Sequence, residues 1–195
     1  MKTYLYILSL IALGSCRSES IENQSSILSK CGLGDEKYDG ELFIDSIGGF
    51  SLSIPKEWSN EITTQGNYRT ITFQDTLSEH DSFETFNITE DKLYEGLNYD
   101  RSYEKVVKRI ESDENLIILN QGSSTLDMQH ANWIFYEDYT FLKENITQRC
   151  LTISTKSDHK YYWILTCVIG DSKIENRMCE LVSILNTFKM NEKIR

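Results

Sequence analysis

The chain has 195 residues, a formal net charge of −10, five cysteines and one proline. Its length fits one domain with a proper hydrophobic core. The acidic balance argues against a nucleic-acid partner, because phosphates require a basic surface and no basic run is longer than Lys108-Arg109. It also argues against electrostatic docking to anionic lipid headgroups.

The N-terminus has the layout of a secretory signal. A basic start at Lys2 is followed by residues 4–13, which are apolar except for Ser9, and then by Gly14-Ser15-Cys16. The apolar run is too short to span a bilayer, which takes about 20 residues. The arrangement resembles the bacterial lipoprotein signal, which implies a signal peptide over residues 1–15 and acylation of Cys16. The alternative is an ordinary cleaved signal followed by an unrelated cysteine.

Residues 16–38 are predicted to be the acylated cysteine and a flexible tether, because the stretch 17–30 is rich in polar residues and has little to bury. Two or three acyl chains would make the membrane a nearly permanent partner. The expected location is therefore a bacterial cell envelope, with lipid anchoring. Arg17 differs from the Asp that retains lipoproteins at the inner membrane of enteric bacteria, so the outer membrane is preferred.

The folded domain is predicted over residues 39–191, and its first half contains strands and one helix. The strand patterns cover residues 42–44, 50–54, 69–73 and 83–88. Pro55 ends the second strand because proline lacks the N–H that a sheet requires. The apolar spacing then changes to that of one helix face, over residues 103–110.

The second half of the domain predicts a run of strands and a closing helix. The strands start at 116–119 and continue at 133–141, 146–155 and 160–169, and the helix covers 174–188. Residues 161–169 are apolar on both alternating faces, which predicts a central strand that is covered on both sides. Blocks of one element type indicate an α+β fold with an antiparallel, largely meandering sheet, on which the mid-chain and C-terminal helices pack.

Several short sequence segments resemble those of the PsbP-like superfamily, which includes the extrinsic photosystem II subunit, a Ran-binding import factor and bacterial envelope lipoproteins. They are the strand and turn 49–58, the helix 103–110 leading to 116–122, Ala131-Asn132-Trp133 opening a strand, and the ending 181–189. The resemblance covers about residues 40–190. It implies an antiparallel sheet with packed helices and no active site, since members mostly act by binding other proteins.

Four cysteines remain after Cys16, and an even number in an exported protein suggests disulfides. A hairpin of strands 146–155 and 160–169 places Cys150 opposite Cys167, within reach of a bridge at a non-hydrogen-bonded pair. Cys31 would then pair with Cys179. The alternative of four buried free thiols has equal weight.

The sequence predicts no catalytic residue, cofactor or metal site. The three histidines, at positions 80, 130 and 159, are separated from one another and from the cysteines, so zinc-ligand spacing is absent. Neither a nucleophile elbow, nor a phosphate loop, nor a Cys-x-x-Cys pair occurs. The titratable groups are dispersed along the chain, and we expect a protein that is not an enzyme.

Aromatic residues are the candidates for partner binding. Trp58, in a predicted loop after Pro55, either plugs the end of the sheet or anchors a partner, and Tyr136 and Tyr139 are further candidates. The leading hypothesis is a non-catalytic module that binds or scaffolds an envelope protein. A carrier or chaperone that holds an apolar ligand or hydrophobic segment is the alternative, and a hydrolase with a scattered site is a third.

Overall fold

The computed structural model describes residues 27–32, 38–75, 83–92, 99–140, 147–158, 160–170 and 174–191. The described helices are α1 Ile27–Lys30, α2 Tyr99–Ser112 and α3 Ile174–Asn186. The described strands are β1 Glu41–Asp45, β2 Phe50–Ile54, β3 Trp58–Gln65, β4 Tyr68–Asp75, β5 Phe83–Lys92, β6 Leu116–Leu126, β7 Gln129–Asp138, β8 Thr147–Lys156, β9 Lys160–Gly170 and β10 Lys189–Met190. No helix among these is long and apolar enough to cross a membrane.

Seven strands form one antiparallel sheet in the order β3-β4-β5-β9-β8-β7-β6. The sheet consists of two meanders, β3-β4-β5 and β6-β7-β8-β9, which join where β5 pairs with β9. In the chain, helix α2 connects β5 to β6. Strand β6 forms the edge of the sheet opposite to β3. The predicted α+β class and antiparallel meander are therefore confirmed.

A second sheet of three strands, in the order β1-β2-β10, was not predicted. Nor was β3, because Ile62 is its single aliphatic residue and the strand therefore lacks apolar alternation. The sequence placed Trp58 in a loop, whereas it begins β3 and pairs with Asp75. The two-residue β10 is too short to leave a sequence pattern.

The main core lies between one face of the large sheet, the small sheet and α3. Phe50 of β2 is fully buried, with its ring 6.0 Å from that of Tyr162 on β9 and 5.5 Å from that of Phe188. Tyr162 and its neighbour along the same face, Ile164, are at most 1% exposed, in agreement with the predicted central strand. Six buried side chains of α3 complete the core: Ile174, Met178, Leu181, Val182, Ile184 and Leu185.

Helix α2 packs on the opposite face of the large sheet. In β7, Ile134 and Tyr136 alternate with the core residues Trp133 and Phe135, and so point away from the main core. The Tyr103 hydroxyl of α2 donates a hydrogen bond of 2.7 Å to the Trp133 carbonyl. Both faces of the sheet are thus covered in the middle of β7, where Trp133, Ile134 and Phe135 are all buried.

The start of the folded domain corrects the predicted tether. Residues 27–32 were assigned to a flexible segment, but Ile27 and Leu28 of α1 are buried in the main core. Lys30 forms an ion pair with Glu175 of α3, and Cys31 is bonded to Cys179. The burial of two adjacent apolar side chains and the disulfide offset the entropy cost of ordering this segment. Its polar composition had suggested that nothing would offset this cost. Residues 16–26 lie outside the described residues.

Candidate functional site

Strands β1 and β3, the outer strands of the two sheets, lie on the same side of the molecule. The Phe43 ring of β1 contacts the Phe73 ring of β4, with 4.9 Å between the centroids. At the C-terminal end of β1, Asp45 pairs with Arg69 of β4. Strand β1 therefore runs above β4, and the neighbouring β3 extends beyond it.

The core-side face of β3, with Trp58, Asn60 and Ile62, forms a ledge that we call the β3 shelf. Ile62 pairs with Ile71 of β4 in the register, yet Ile62 is 49% exposed and Ile71 only 1%. The difference arises because β1 covers β4 and leaves β3 open among the described residues. The shelf thus presents to solvent a face that belongs to the core elsewhere in the sheet.

A groove of about 180 Å³ opens between β1 and the Trp58 end of the shelf. Its lining residues come from β1, the end of β2 with the turn that follows it, β3 and β4: Glu41, Leu42, Phe43, Ile54, Pro55, Lys56, Trp58, Asn60 and Phe73. Trp58 is half-buried and packs against the core, so it both closes the end of the sheet and forms a wall of this groove. Leu42, which lines the groove, is 62% exposed, and Ile44, two residues farther along β1, is 60% exposed.

The region around the shelf is acidic. Apart from the ion pair of Asp45 with Arg69, residues 38–75 contain Lys56 as the single cation. The same segment carries five further carboxylates, Asp39, Glu41, Glu57, Glu61 and Asp75. An incoming segment would therefore meet apolar side chains bordered by negative charge.

A buried ion network holds β1 in place above β4. The Arg69 guanidinium bonds to Asp45 and lies 3.3 Å from Glu90, and Lys160 lies 2.8 Å from Glu90. Burial would lower the pKa of Arg69, but the hydrogen bonds and charges of Asp45 and Glu90 outweigh this and raise the pKa. The network therefore fixes the end of β1 beside the shelf.

The candidate tyrosines lie far from Trp58. Tyr136 is on β7, five strands from β3, a separation of about 24 Å at about 4.8 Å per strand. Tyr136 is half-buried, and burial raises the pKa of its hydroxyl. Tyr139 is exposed and donates a hydrogen bond of 2.6 Å to Glu137. The structure therefore does not bring the three aromatic candidates into one patch.

The structure joins the four candidate cysteines in the two pairs considered from the sequence. Cys150 and Cys167 are opposite each other in the β8-β9 hairpin, with their Cα atoms 4.3 Å apart. Cys31 and Cys179 link α1 to α3, with Cα atoms 4.7 Å apart. The lipid-attachment candidate Cys16 lies outside the described residues.

A second groove, of about 450 Å³, lies between α2 and the β6-β7 edge. Most of its lining is polar or charged, with Tyr103, Val107 and Gly122 as exceptions: Glu104, Lys108, Glu111, Gln121, Ser123 and Asn132. Gly122 lies over the Trp133 ring, where a Cβ would come within 3.0 Å of the indole. This groove is the larger of the two, and most of its exposed lining surface is apolar although most of its lining residues carry a polar or charged group.

Glu84 is a perturbed carboxylate that the sequence did not single out. It points from β5 toward α3, where burial raises the pKa of its carboxyl to about 7 and the charge of Glu180 adds to the rise. The Arg177 guanidinium, 3.4 Å away, opposes it. Glu84 lines neither groove. In the described part of the chain, no three His, Cys, Asp or Glu side chains converge as a metal site would require.

Replacing Glu84 by Gln should remove a pH dependence of stability. A folded-state pKa near 7, above the ordinary 4.5, adds stability at low pH that is lost as the pH rises through 7. Allowing for solvent screening, we expect Glu84→Gln to exceed the wild type by about 1 to 2 kcal/mol at pH 8 and to match it near pH 4, below the ordinary pKa. Urea unfolding at these two pH values measures the difference. The exposed Glu114→Gln is the control, and an unchanged difference between about pH 4 and pH 8 in Glu84→Gln would contradict the assignment.

Comparison with known proteins identifies the fold. No model of a known protein family matches the sequence, and no curated protein does. Among solved structures, PsbP (CyanoP) from Synechocystis sp. PCC 6803 superimposes with a TM-score of 0.54 at 15% identity, over 77% of this chain and 91% of CyanoP. The fold is PsbP-like.

Two further structures share this PsbP-like fold. LpqN, involved in cell envelope biogenesis of Mycobacterium tuberculosis, aligns with a TM-score of 0.51 at 9% identity, over 79% of this chain and 86% of LpqN. A Bacteroides thetaiotaomicron protein aligns with a TM-score of 0.53 at 16% identity. The alignment covers 81% of this chain but 51% of that protein, so the chain spans about half its length. At these identities the likeness establishes the fold alone.

Proposed function

We propose that the protein is a non-enzymatic module, anchored by lipid at Cys16 in a bacterial cell envelope, and that its PsbP-like domain binds another envelope protein. The observation that carries the proposal is the β3 shelf, where a core-side sheet face is open to solvent. Leu42 and Ile44, which alternate with the core-facing Phe43, expose further apolar side chains on the outer face of β1. Exposed apolar surface bordered by charge is typical of a protein-interaction site.

The size of the shelf groove favours a protein partner over a small molecule. Small-molecule sites are usually about 300–1,000 Å³, and the groove beside Trp58 measures about 180 Å³. It can accept a side chain from a partner segment that continues along the open shelf. Trp58 then contributes a rigid aromatic wall, a residue type enriched where binding energy is concentrated.

The titratable groups agree with a binding role. The perturbed carboxylate of Glu84 forms an ion pair with Arg177. Asp45 forms an ion pair with Arg69, and Glu90 forms one with Lys160. These groups stabilise packing between elements of the domain. The envelope-biogenesis role of LpqN, whose fold aligns with most of this chain, supports an envelope location.

A carrier of an apolar ligand is the second candidate, favoured by the volume of the groove beside α2. At about 450 Å³ it falls within the range of ligand sites. Its exposed lining surface is mostly apolar, which suits an acyl chain or a hydrophobic segment. Organic extraction of the purified protein followed by mass spectrometry would reveal a stoichiometric lipid if this second function applies.

Membrane fractionation tests the anchor. The wild type should sediment with membranes and require detergent for release, whereas Cys16→Ala should be recovered in the soluble fraction, because the acyl chains supply the attachment. A Cys16→Ala protein that stays bound to membranes would contradict lipid anchoring.

Site-specific photo-crosslinking in intact cells tests the binding surface. A benzophenone amino acid in place of Ile62 should form an adduct with one envelope protein. The matched control is Ile117 of β6, which is also 49% exposed but lies on the opposite edge of the same sheet. An adduct from both positions, or from neither, would contradict the assignment of the shelf.

A further inference from the structure

The backbone of β1 has an open edge above the β3 shelf. Among the described residues β1 pairs with β2 alone, and it forms the outer strand of the small sheet. An outer strand presents unpaired N–H and C=O groups to which another extended segment can bond. The orientation of these groups follows from the hydrogen bonds of β2.

The N–H of Ser53 points away from β1, since it donates a hydrogen bond of 2.7 Å to the Thr187 hydroxyl. Ser53 is the register partner of Leu42. Leu42 and Ser53 therefore form a non-hydrogen-bonded pair, in which the backbone groups of both residues point outward from the β1-β2 ladder. By the same alternation Ile44 directs its N–H and C=O outward, and Phe43 directs its own toward β2.

The next strand position of the small sheet lies above the shelf. Strand β1 runs over β4, and β3 is one strand spacing of about 4.8 Å beyond β4. A strand added to β1 would be displaced by the same spacing, and so would cover the exposed core-side face of β3. Its inward side chains would meet Ile62, Asn60 and the groove beside Trp58.

We propose that an extended segment of the partner adds to β1 as a fourth strand of the small sheet and lies on the β3 shelf. This inference rests on the proposed function and names its mode, β-strand addition, in which main-chain bonds give affinity and alternate side chains give specificity. The segment carries apolar residues at alternate positions, and Lys or Arg among the others. The basic residues match the net negative charge of residues 38–75, which form β1 and the shelf.

The charge of the shelf disfavours a second copy of the chain as the occupant. Pairing two β1 edges would bring two such acidic regions together on molecules that each carry a formal charge of −10. Like charges opposed across an interface reduce its stability. A basic segment of another protein meets no such cost.

Proline substitution distinguishes the contribution of the backbone edge of β1 to binding from that of its side chains. Ile44→Pro removes an outward N–H but no bond of the β1-β2 ladder, and proline is tolerated on edge strands for this reason. Ile44→Thr is the matched control, because it removes the same aliphatic side chain, keeps the N–H and keeps a β-branched residue. Leu42→Pro removes the other outward N–H and provides a second variant if Ile44→Pro fails to fold.

The readout is the yield of the adduct formed in cells from the benzophenone residue at position 62. We expect Ile44→Pro or Leu42→Pro to lower the yield at least fivefold and Ile44→Thr to change it less than twofold. Circular dichroism verifies the fold of each variant. Equal yields in the proline and threonine variants would overturn strand addition while leaving the proposed binding function intact. Absence of any adduct without these substitutions would instead overturn the proposed function. An adduct with twice the mass of the chain would show a second copy and also overturn the inference.

Discussion

Removal of the Cys31–Cys179 disulfide by a double substitution to Ala should lower the free energy of unfolding by about 5 kcal/mol. The bridge closes a loop with a sequence separation of 148, so it restricts the unfolded chain strongly in the chain-entropy account. It also fastens α1 to α3, and its loss would release Ile27 and Leu28 from the core. Denaturant unfolding of the oxidised proteins measures the loss.

The Cys150–Cys167 bridge supplies the matched control. Its sequence separation is 17, so the corresponding double Ala variant should lose about 3 kcal/mol. Thiol counting of the unreduced wild type should find none of these four cysteines reactive after denaturation. Four reactive thiols, or equal losses in the two double variants, would refute this account of the bridges.

Arg69→Met should lower the free energy of unfolding by about 3 to 5 kcal/mol. The substitution keeps an unbranched apolar stem but leaves Asp45 without its cation and Glu90 with Lys160 alone. The Asp45 and Glu90 side chains are 5% and 10% exposed, and an uncompensated buried carboxylate is costly. Urea unfolding at pH 7 measures the effect.

A second substitution tests the electrostatic origin of this loss. In the Arg69→Met background, Asp45→Asn should restore part of the stability, because a buried amide costs less than a buried carboxylate. The Asn oxygen can still accept the Ile47 N–H bond that Asp45 accepts at 3.1 Å. No recovery in the double variant would mean that Arg69 acts through packing of its stem and not through its charge.

The centre of the fold could be predicted from the sequence because its signals are local and strong. Residues 161–169 are apolar on both faces, and β9 lies between β5 and β8, with Tyr162 and Ile164 buried in the main core and Trp163 and Leu165 of the other face half-buried. The helical spacings identified α2 and α3, since each buries one face against the sheet. The opposition of Cys150 and Cys167 followed from hairpin geometry alone.

The edges of the fold could not be predicted, because their residues do not follow the rules of a half-buried strand. Strand β3 is mostly solvated and has Ile62 as its one aliphatic side chain, so no alternation marks it. Stretch 42–44 is apolar on both faces, the same signal that identified β9. Here one of those faces stays open, and sequence patterning alone does not separate a covered strand from an open one.

The candidate site was predicted in part. Trp58 was singled out as a possible anchor, and it forms a wall of the groove. Leu42, Ile44 and Ile62 were not singled out. Their part in the candidate site depends on β1 lying over β4 and leaving β3 exposed, which the sequence pattern does not show. That arrangement is set by the contact of Phe43 with Phe73 and by the ion pair of Asp45 with Arg69, both between residues distant in the chain.

The central claim is that the outer edge of β1 is open in the isolated protein. Amide hydrogen exchange of the purified full chain, resolved by residue with NMR spectroscopy, tests it without any knowledge of the partner. The amides of Leu42 and Ile44 should exchange rapidly, while the amide of Phe43, between them, should be protected by its bond to β2. Protection of Leu42 and Ile44 equal to that of Phe43 would show the edge already paired, and would contradict the account.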